Sequence, residues 1–289
     1  MSVSAGAKVQ RRTSGLSDKV RKRIEITILS LPALIMFLGF VILPVFMAGY
    51  YGFFKWKGYG KPTVNGQFIG FENYKVILTD PNFQQALGHT LFVVVASLVI
   101  QGPLAILFAL LLNQKFKGRA LIRTLIFVPY VVSEVIVGTG WSLILQTTGA
   151  LNALLKKIGL GGADWISDPK IAIWTLMFII SWKYIGFAVI LMIAGMQSIP
   201  EDLYEAAKVD GAGFWRQQWS ITLPLLGPTI RIWAFMSIIG SLQLFDLVYI
   251  IWGQYVSSTA GTSTMATYMV REGRLANNYG YGSAVAVVI

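Results

Sequence analysis

The chain contains no cysteine, so neither a disulfide framework nor a cysteine-based metal site is possible. His89 is the only histidine, and it lies at one end of an apolar run, where an interfacial side chain is favoured over a catalytic one. No glycine-rich Walker A loop is present, so any nucleotide must bind to another chain. A Ser/His/Asp constellation and clustered acids are also missing. These absences predict a chain that is not an enzyme and holds no metal.

Charged residues are scarce as well. They make up 13% of the 289 residues, whereas soluble domains carry roughly 25%. Hydrophobic residues account for 55%, and the mean hydropathy is +0.63. Several apolar runs exceed the ~20 residues that cross a hydrocarbon core. The composition therefore predicts an all-α, polytopic helical membrane protein.

The apolar runs predict five complete spans and the beginning of a sixth. The five cover residues 25–54, 85–113, 120–146, 170–197 and 223–252, and a shorter run covers 281–289. Because a crossing needs about twice the length of the last run, the chain is expected to stop partway through its sixth span. The first run is too long for the apolar part of a signal peptide, which predicts an uncleaved anchor. We divide the chain into a basic tail, 1–24, and a transmembrane domain, 25–289.

The distribution of basic residues predicts the orientation. They cluster in the tail and in the short turn 113–123: Lys8, Arg11, Arg12, Lys19, Arg21, Lys22, Arg23, Lys115, Lys117, Arg119 and Arg123. Lysine and arginine are enriched in cytoplasmic loops. The N-terminus, this turn and residues 198–224 are therefore predicted to be cytoplasmic. Membrane topology accounts for the net charge of +11 without a nucleic-acid partner.

A polar island, residues 198–224, separates two long apolar runs and reads SIPEDLYEAAKVDGAGFWRQQWSITLP. Ser198 and Glu201 fit the S-x-x-E capping box, which predicts a helix start. One helical face then carries Leu203, Ala206, Ala207 and Asp210. Gly211 is expected to end this helix, and the small alanines leave a shallow surface that fits a partner's groove. The island is a candidate handle for a soluble partner, and the alternative is an interfacial helix that only links two spans.

The island also matches a long spaced pattern, EAA-x(3)-G-x(9)-I-x-L-P. The matching positions are Glu205, Ala206, Ala207, Gly211, Ile221, Leu223 and Pro224. The pattern resembles the EAA loop of membrane permeases in binding-protein-dependent ATP-binding cassette (ABC) importers. This resemblance implies the type I importer permease fold with six transmembrane helices. It also implies that the island forms a coupling helix that docks in a cleft of a cytoplasmic ATPase, with Glu205 paired to a basic side chain.

The resemblance extends over nearly all of residues 25–289. Segments 152–160, 245–253, 264–273 and 280–289 are similar to the carbohydrate-uptake branch, which is related to maltose and oligosaccharide permeases; glycerol-phosphate permeases look similar. The resemblance implies a multi-pass cell-membrane protein that forms half of a sugar pathway. Its implied partners are a second permease in a heterodimer, two cytoplasmic ATPases and an external solute-binding protein. The chain itself is expected to bind no cofactor, because the ATPase subunits use the ATP. The coupling contacts implied are Glu205, Ala206, Ala207, Asp210 and Gly211.

Polar residues at membrane depth usually face the interior of a helix bundle. Glu134 and Lys183 lie near the middle of their spans, where an internal ion pair is favoured over a ligand role. On the fifth span, a narrow face at i, i+3, i+4 and i+7 carries Ser237, Gly240, Ser241 and Leu244. Helix packing alone favours small residues there. The resemblance instead favours sugar contacts, since maltose-type permeases bind sugar from this span and from the middle of the preceding one, near Lys183 and Tyr184.

Two other classes of protein remain open at this point. A proton-coupled secondary transporter would use Glu134 and Asp246 as proton relays. An integral membrane enzyme or scaffold is disfavoured by the missing catalytic groups.

Overall fold

The computed structural model describes residues 18–114 and 116–289. Of the residues used to predict the orientation, Lys8, Arg11, Arg12 and Lys115 lie outside this part. The described residues form two compact units, one that ends at Tyr50 and one that begins at Tyr51.

The first unit is a long apolar helix. Helix α1, Asp18–Phe37, continues through a π-helical turn, Leu38–Ile42, into α2, Leu43–Tyr51. The stretch Lys19–Tyr51 has 33 residues, which is long enough to cross a membrane. Helix α1 begins within the predicted tail, where Arg21 Nε lies 2.9 Å from Glu25 Oε1 in an i, i+4 ion pair that supports the helix. Residues 18–24 are therefore helical.

The second unit begins with a small cap of short elements. Strand β1, Phe54–Lys55, pairs antiparallel with β2, Gln67–Phe68, and α3, Pro62–Asn65, lies between them in the chain. Helix α4 follows as Glu72–Thr79. The buried Asn73 amide donates to the carbonyls of Gly52 and Phe54 at 2.8 and 3.1 Å, which fixes α4 against the strand.

The second span is a rod interrupted by a π-helical turn. Helix α5, Pro81–Ala96, passes into the π turn Ser97–Gln101 and then into α6, Gly102–Leu112. Asp80 caps this rod, because its carboxylate accepts a hydrogen bond from the Asn82 amide at 2.8 Å. Pro81 fits the first turn, where its missing N–H is harmless.

The predicted span over 120–146 is present as two helices joined at a sharp bend, so the membrane span count there stays a prediction. Helices α7, Arg119–Val131, and α8, Glu134–Ile144, meet at a 96° bend. Val132 is extended, and the Ser133 hydroxyl accepts a hydrogen bond from the Ile136 amide at 3.4 Å to start the new helix. Pro129 removes one amide donor from the last turns of α7. The proline and the serine N-cap together explain why one apolar run becomes two helices.

The remaining elements follow in chain order. They are α9, Ala150–Lys157; α10, Ala172–Gln197; α11, Glu201–Val209; α12, Phe214–Gln217; a π turn, Gln218–Thr222; α13, Leu223–Leu242; α14, Asp246–Thr259, bent at Gly253; α15, Met265–Val270; a π turn, Arg271–Leu275; and α16, Tyr279–Val288.

Four of the described helical stretches are long and apolar enough to cross a membrane, and the bent pair of α7 and α8 would make a fifth. The fourth of them runs from Phe214 to Gly253, so its helix begins inside the island, well before Pro224. Helix α16 is a shorter apolar helix at the position of the predicted partial span.

Helix α10 packs against α6, α7 and α13, and glycines permit the close contacts. A Cβ added at Gly186 would lie 2.8 Å from the Phe127 backbone on α7, and one at Gly195 would lie 2.8 Å from Leu226 on α13. Of the two glycines Gly138 and Gly140 on α8, Gly138 is the one close to another helix: its added Cβ would lie 2.7 Å from Ile250 on α14.

Candidate functional site

A cavity of about 220 Å³ lies inside the second unit, between the second span, α7, α10 and α13. Its hydroxyl and amide side chains are Ser97, Gln101, Tyr130, Tyr184, Ser237 and Ser241. The remaining lining residues are Ile180, Phe187, Trp233, Met236, Gly240 and Leu244. Tyr130 and Phe187 stack with their ring centroids 5.1 Å apart. The cavity therefore combines hydrogen-bonding groups with aromatic surfaces.

Most of the predicted substrate-pathway residues meet at this cavity. Those lining it are Tyr184, Ser237, Gly240, Ser241 and Leu244. The narrow face predicted on the fifth span is therefore present, although α13 ends at Leu242 and Leu244 follows in the connection to α14. Their contact with a substrate stays a prediction.

Lys183, the remaining predicted pathway residue, does not line the cavity. Its side chain is only 3% exposed, and its Nζ donates a hydrogen bond to the Val132 carbonyl at 2.7 Å. That carbonyl lies at the break between α7 and α8, where no further helical turn supplies a donor. Lys183 therefore acts as a cap for the end of α7.

The predicted ion pair between Glu134 and Lys183 is wrong. Within the described part of the chain, the ion pairs of 4 Å or less are Arg21–Glu25 and Arg271–Glu272. Glu134 instead accepts a hydrogen bond from the Tyr184 hydroxyl. Its position in the first turn of α8 also places its negative charge at the positive end of a helix. Lys183 and Tyr184 therefore bind on opposite sides of the bend: Lys183 bonds the carbonyl that follows α7, and Tyr184 bonds the carboxylate at the start of α8.

Sequence reasoning missed Ser97, Gln101 and Tyr130 as cavity residues. Ser97 and Ser237 are hydrogen-bonded through their hydroxyls, which joins the second span to α13. A signal existed for Gln101, because it is a polar residue within an apolar run. The π turn that carries Ser97 and Gln101 leaves no comparable mark in the sequence, although such turns are frequent at functional sites.

The two ends of α11 differ in how well they were predicted. The capping box is wrong: the helix begins at Glu201 with Pro200 as N-cap, and the Ser198 hydroxyl donates to the Gly195 carbonyl at 2.7 Å. Pro200 separates Ser198 from the new helix, so the serine closes α10. The predicted end is confirmed, because Gly211 has a φ of 75°, a conformation that suits glycine.

The exposed side of α11 carries the predicted coupling residues. Glu205, Ala206, Asp210 and Gly211 are exposed, Ala207 is half-buried, and Val209 is 89% exposed. The structure describes no ion pair for Glu205 within 18–114 or 116–289. This surface is open to a partner, and contact with an ATPase stays a prediction.

A chain of hydrogen bonds connects α11 to the fifth span. The Tyr204 hydroxyl lies 2.9 Å from Thr222 Oγ1, and Thr222 Oγ1 donates to Gln218 Oε1 at 2.8 Å. Gln218 and Thr222 belong to the π turn that leads into α13. A displacement of α11 is therefore linked directly to the helix that carries Ser237 and Ser241.

An apolar helix bundle with an internal cavity and an exposed helix between two spans is consistent with a membrane transport permease. Residues 101–289 match the family described as binding-protein-dependent transport system inner membrane component. The chain belongs to this family. It is a multi-pass membrane permease of an ABC importer.

Known proteins show the extent of the similarity. The chain is 31% identical over 262 residues to the trehalose/maltose transport system permease protein MalF of Thermococcus litoralis, covering 89% of this chain and 86% of the relative. It is 31% identical to the arabinooligosaccharides transport system permease protein AraP of Bacillus subtilis, covering 77% and 71%. A chain in the crystal structure of a bacterial alginate ABC transporter, in complex with an alginate pentasaccharide-bound periplasmic protein, superposes with a TM-score of 0.81 at 26% identity, covering 94% and 90%.

Proposed function

We propose that the chain forms half of the translocation pathway for an oligosaccharide or related carbohydrate. The observation that carries this proposal is the cavity, whose hydroxyl, amide and aromatic groups are the groups that bind sugar hydroxyls and ring faces. The names of the relatives support the same substrate class, since they include trehalose/maltose and arabinooligosaccharide permeases.

The proposed energy source is a pair of cytoplasmic ATPases that grip α11. Glu205 pairs there with a basic side chain, and Ala206, Ala207, Asp210 and Gly211 form the rest of the contact. Tyr204 and Thr222 then transmit the movement to α13, which opens the cavity to one side of the membrane or the other. The N-terminus is cytoplasmic in this arrangement. A second permease completes the pathway, and an external solute-binding protein delivers the sugar.

The proposal is tested with the assembled transporter in proteoliposomes containing ATP. Replacing Glu205 with Ala removes the proposed ion pair, so sugar uptake should fall at least about tenfold while the permease still inserts and folds. Glu201→Ala is the matched control, because Glu201 is an exposed acid on the same helix outside the motif. Uptake that persists at the wild-type rate in Glu205→Ala would refute the coupling role.

The same vesicles separate an ABC importer from a proton-coupled transporter. Collapsing the proton gradient at constant ATP should leave uptake unchanged. Loss of uptake under that condition would instead support Glu134 and Asp246 as proton relays.

A further inference from the structure

We propose that the cavity accepts uncharged carbohydrate and excludes acidic sugars, and that Gln101 of the second span is a specificity-determining residue in it. This inference rests on the proposed function and narrows its substrate class.

The cavity wall carries no formal charge in its described lining. The residues described along the cavity wall include no lysine, arginine, aspartate or glutamate. A carboxylate or phosphate group would therefore lose its water without gaining a cationic partner, which is strongly unfavourable. A sugar hydroxyl exchanges hydrogen bonds with water for hydrogen bonds with serine, tyrosine or amide groups.

Lys183 and Glu134, which both contact the wall residue Tyr184, do not relieve this exclusion. The Lys183 ammonium lies 5.4 Å from the centroid of the Tyr184 ring, outside the cavity lining, and it donates to the Val132 carbonyl. Glu134 sits behind Tyr184 and accepts its hydroxyl hydrogen. The opposite charges of Lys183 and Glu134 interact with each other behind the wall, so the ammonium is already offset and is not a free cationic partner for an anionic ligand. Because its hydroxyl is engaged, Tyr184 presents its ring to the cavity, as a surface for an apolar sugar face.

The Gln101 side chain lines the cavity without a described hydrogen-bond partner. It is only 3% exposed, yet it makes no hydrogen bond to another residue in the described part of the chain. Among the described residues, the fully enclosed side-chain atom without a partner is Arg123 Nε, so the unpaired Gln101 amide borders open space in the cavity, where a ligand can reach it. A glutamine amide offers both donors and an acceptor, which matches a sugar hydroxyl in either role.

The position of Gln101 is fixed by its neighbours. It closes the π turn that begins at Ser97, whose hydroxyl is bonded to Ser237 across the cavity. Gly102 follows, and an added Cβ there would lie 2.7 Å from the Trp233 ring, so the glycine lets Trp233 pack against the second span. These contacts hold the amide in place without consuming its hydrogen bonds. The second span thus contributes to a site that the sequence placed on the fourth and fifth spans alone.

The test measures sugar binding to the assembled transporter in nanodiscs without the binding protein, so that the permease subunits set the selectivity. Saturation-transfer NMR is used with maltotriose as the neutral probe and an alginate trisaccharide as the acidic probe. We expect saturation of maltotriose and none of the alginate trisaccharide. Saturation of the acidic probe equal to or greater than that of the neutral one overturns the charge selectivity.

Variants of Gln101 test the residue itself. Gln101→Leu should weaken maltotriose binding about tenfold, and Gln101→Asn should retain part of it because an amide remains. Gln85→Leu is the matched control, since Gln85 is an exposed glutamine on the same span. Assembly of each variant with its partners is checked by size exclusion. Wild-type affinity in Gln101→Leu, or equal loss in Gln85→Leu, overturns the assignment.

Failure of the cavity assignment and failure of the proposed function give different results. If neither probe binds but the complete transporter imports maltotriose with its binding protein, the cavity assignment is wrong and the proposed function stands. If the complete transporter imports no carbohydrate, the proposed function fails with it.

Discussion

Lys183 and Tyr184 are adjacent in the sequence, yet they hold different ends of a broken membrane helix. The ammonium of Lys183 bonds the carbonyl that ends α7, and the hydroxyl of Tyr184 bonds the carboxylate that begins α8. This arrangement explains two charged residues at membrane depth without an ion pair. It also ties the bend directly to the cavity, because the ring of Tyr184 is part of the cavity wall.

A second polar cluster joins the start of the second span to α15 and α16. Asp80 accepts hydrogen bonds from the hydroxyls of Tyr268 at 2.5 Å and Tyr281 at 3.3 Å. Burial alone would raise the pKa of Asp80, but the hydrogen bonds from Tyr268, the Asn82 amide and Tyr281 lower it below the usual 3.8. Burial and the bond to Asp80 raise the pKa of Tyr268 above its usual 10.0.

These two shifts predict a pH window for stability. The lowered Asp80 pKa contributes stability that is present above pH 3.8 and is lost as the pH falls through the folded pKa. The raised Tyr268 pKa contributes stability that is lost as the pH rises above 10.0. Asp80→Asn should therefore lower the unfolding temperature at neutral pH. The further decrease of the unfolding temperature between pH 7 and pH 3 should be smaller in this variant than in the wild type. Thermal unfolding in detergent from pH 3 to pH 7 measures the midpoint at neutral pH and its fall in acid, and steps of about half a pH unit are sufficient. An acid limb identical to that of the wild type would contradict the role of Asp80.

At the scale of elements, glycine positions decide how closely the helices approach. Gly186→Ala would place a methyl group against the α7 backbone, which must then move. We expect it to destabilise the protein by about 1–3 kcal/mol. Gly140→Ala is the control within another helix, since an added Cβ there meets nothing within 4 Å. Unfolding midpoints in detergent should fall for Gly186→Ala and hold or rise for Gly140→Ala; equal midpoints would show that the close approach of α7 and α10 is unimportant.

The sequence predicts the apolar spans well because length and composition are local properties. Residues 170–197 became α10, Ala172–Gln197, almost without change. The bend at Val132 was missed because Pro129 and Ser133 look like ordinary irregularities within an apolar run. The start of α11 was misplaced for a similar reason: Ser198 and Glu201 match a capping pattern, but Pro200 begins the helix after the serine.

The cavity was only partly predictable. Helical spacing identifies Ser237, Gly240 and Ser241 as one face of a helix, since that spacing depends on a single element. Ser97 and Gln101 join them only because the second span packs opposite α13. Such a juxtaposition depends on tertiary packing, which periodicity along one helix does not encode.

At the scale of the whole molecule, the permease has two parts that hydrogen bonds connect. The cavity lies within the bundle, and α11 lies at the loop between the fourth and fifth spans. The hydrogen bonds from Tyr204 through Thr222 connect them. A movement of α11 is therefore expected to shift α13 and the cavity that it lines. Alternating access requires such a connection between the two parts.

The central claim is that α11 is a cytoplasmic handle gripped by an ATPase, and one crosslinking measurement tests it most directly. The natural chain has no cysteine, so Ala206→Cys places a single reactive thiol on the exposed side of α11. A bifunctional reagent applied to inside-out membrane vesicles of the complete transporter should join this thiol to an ATPase subunit, with a yield that changes when ATP binds. A thiol that reacts only from the opposite face of the membrane, or that never captures an ATPase, would contradict the account.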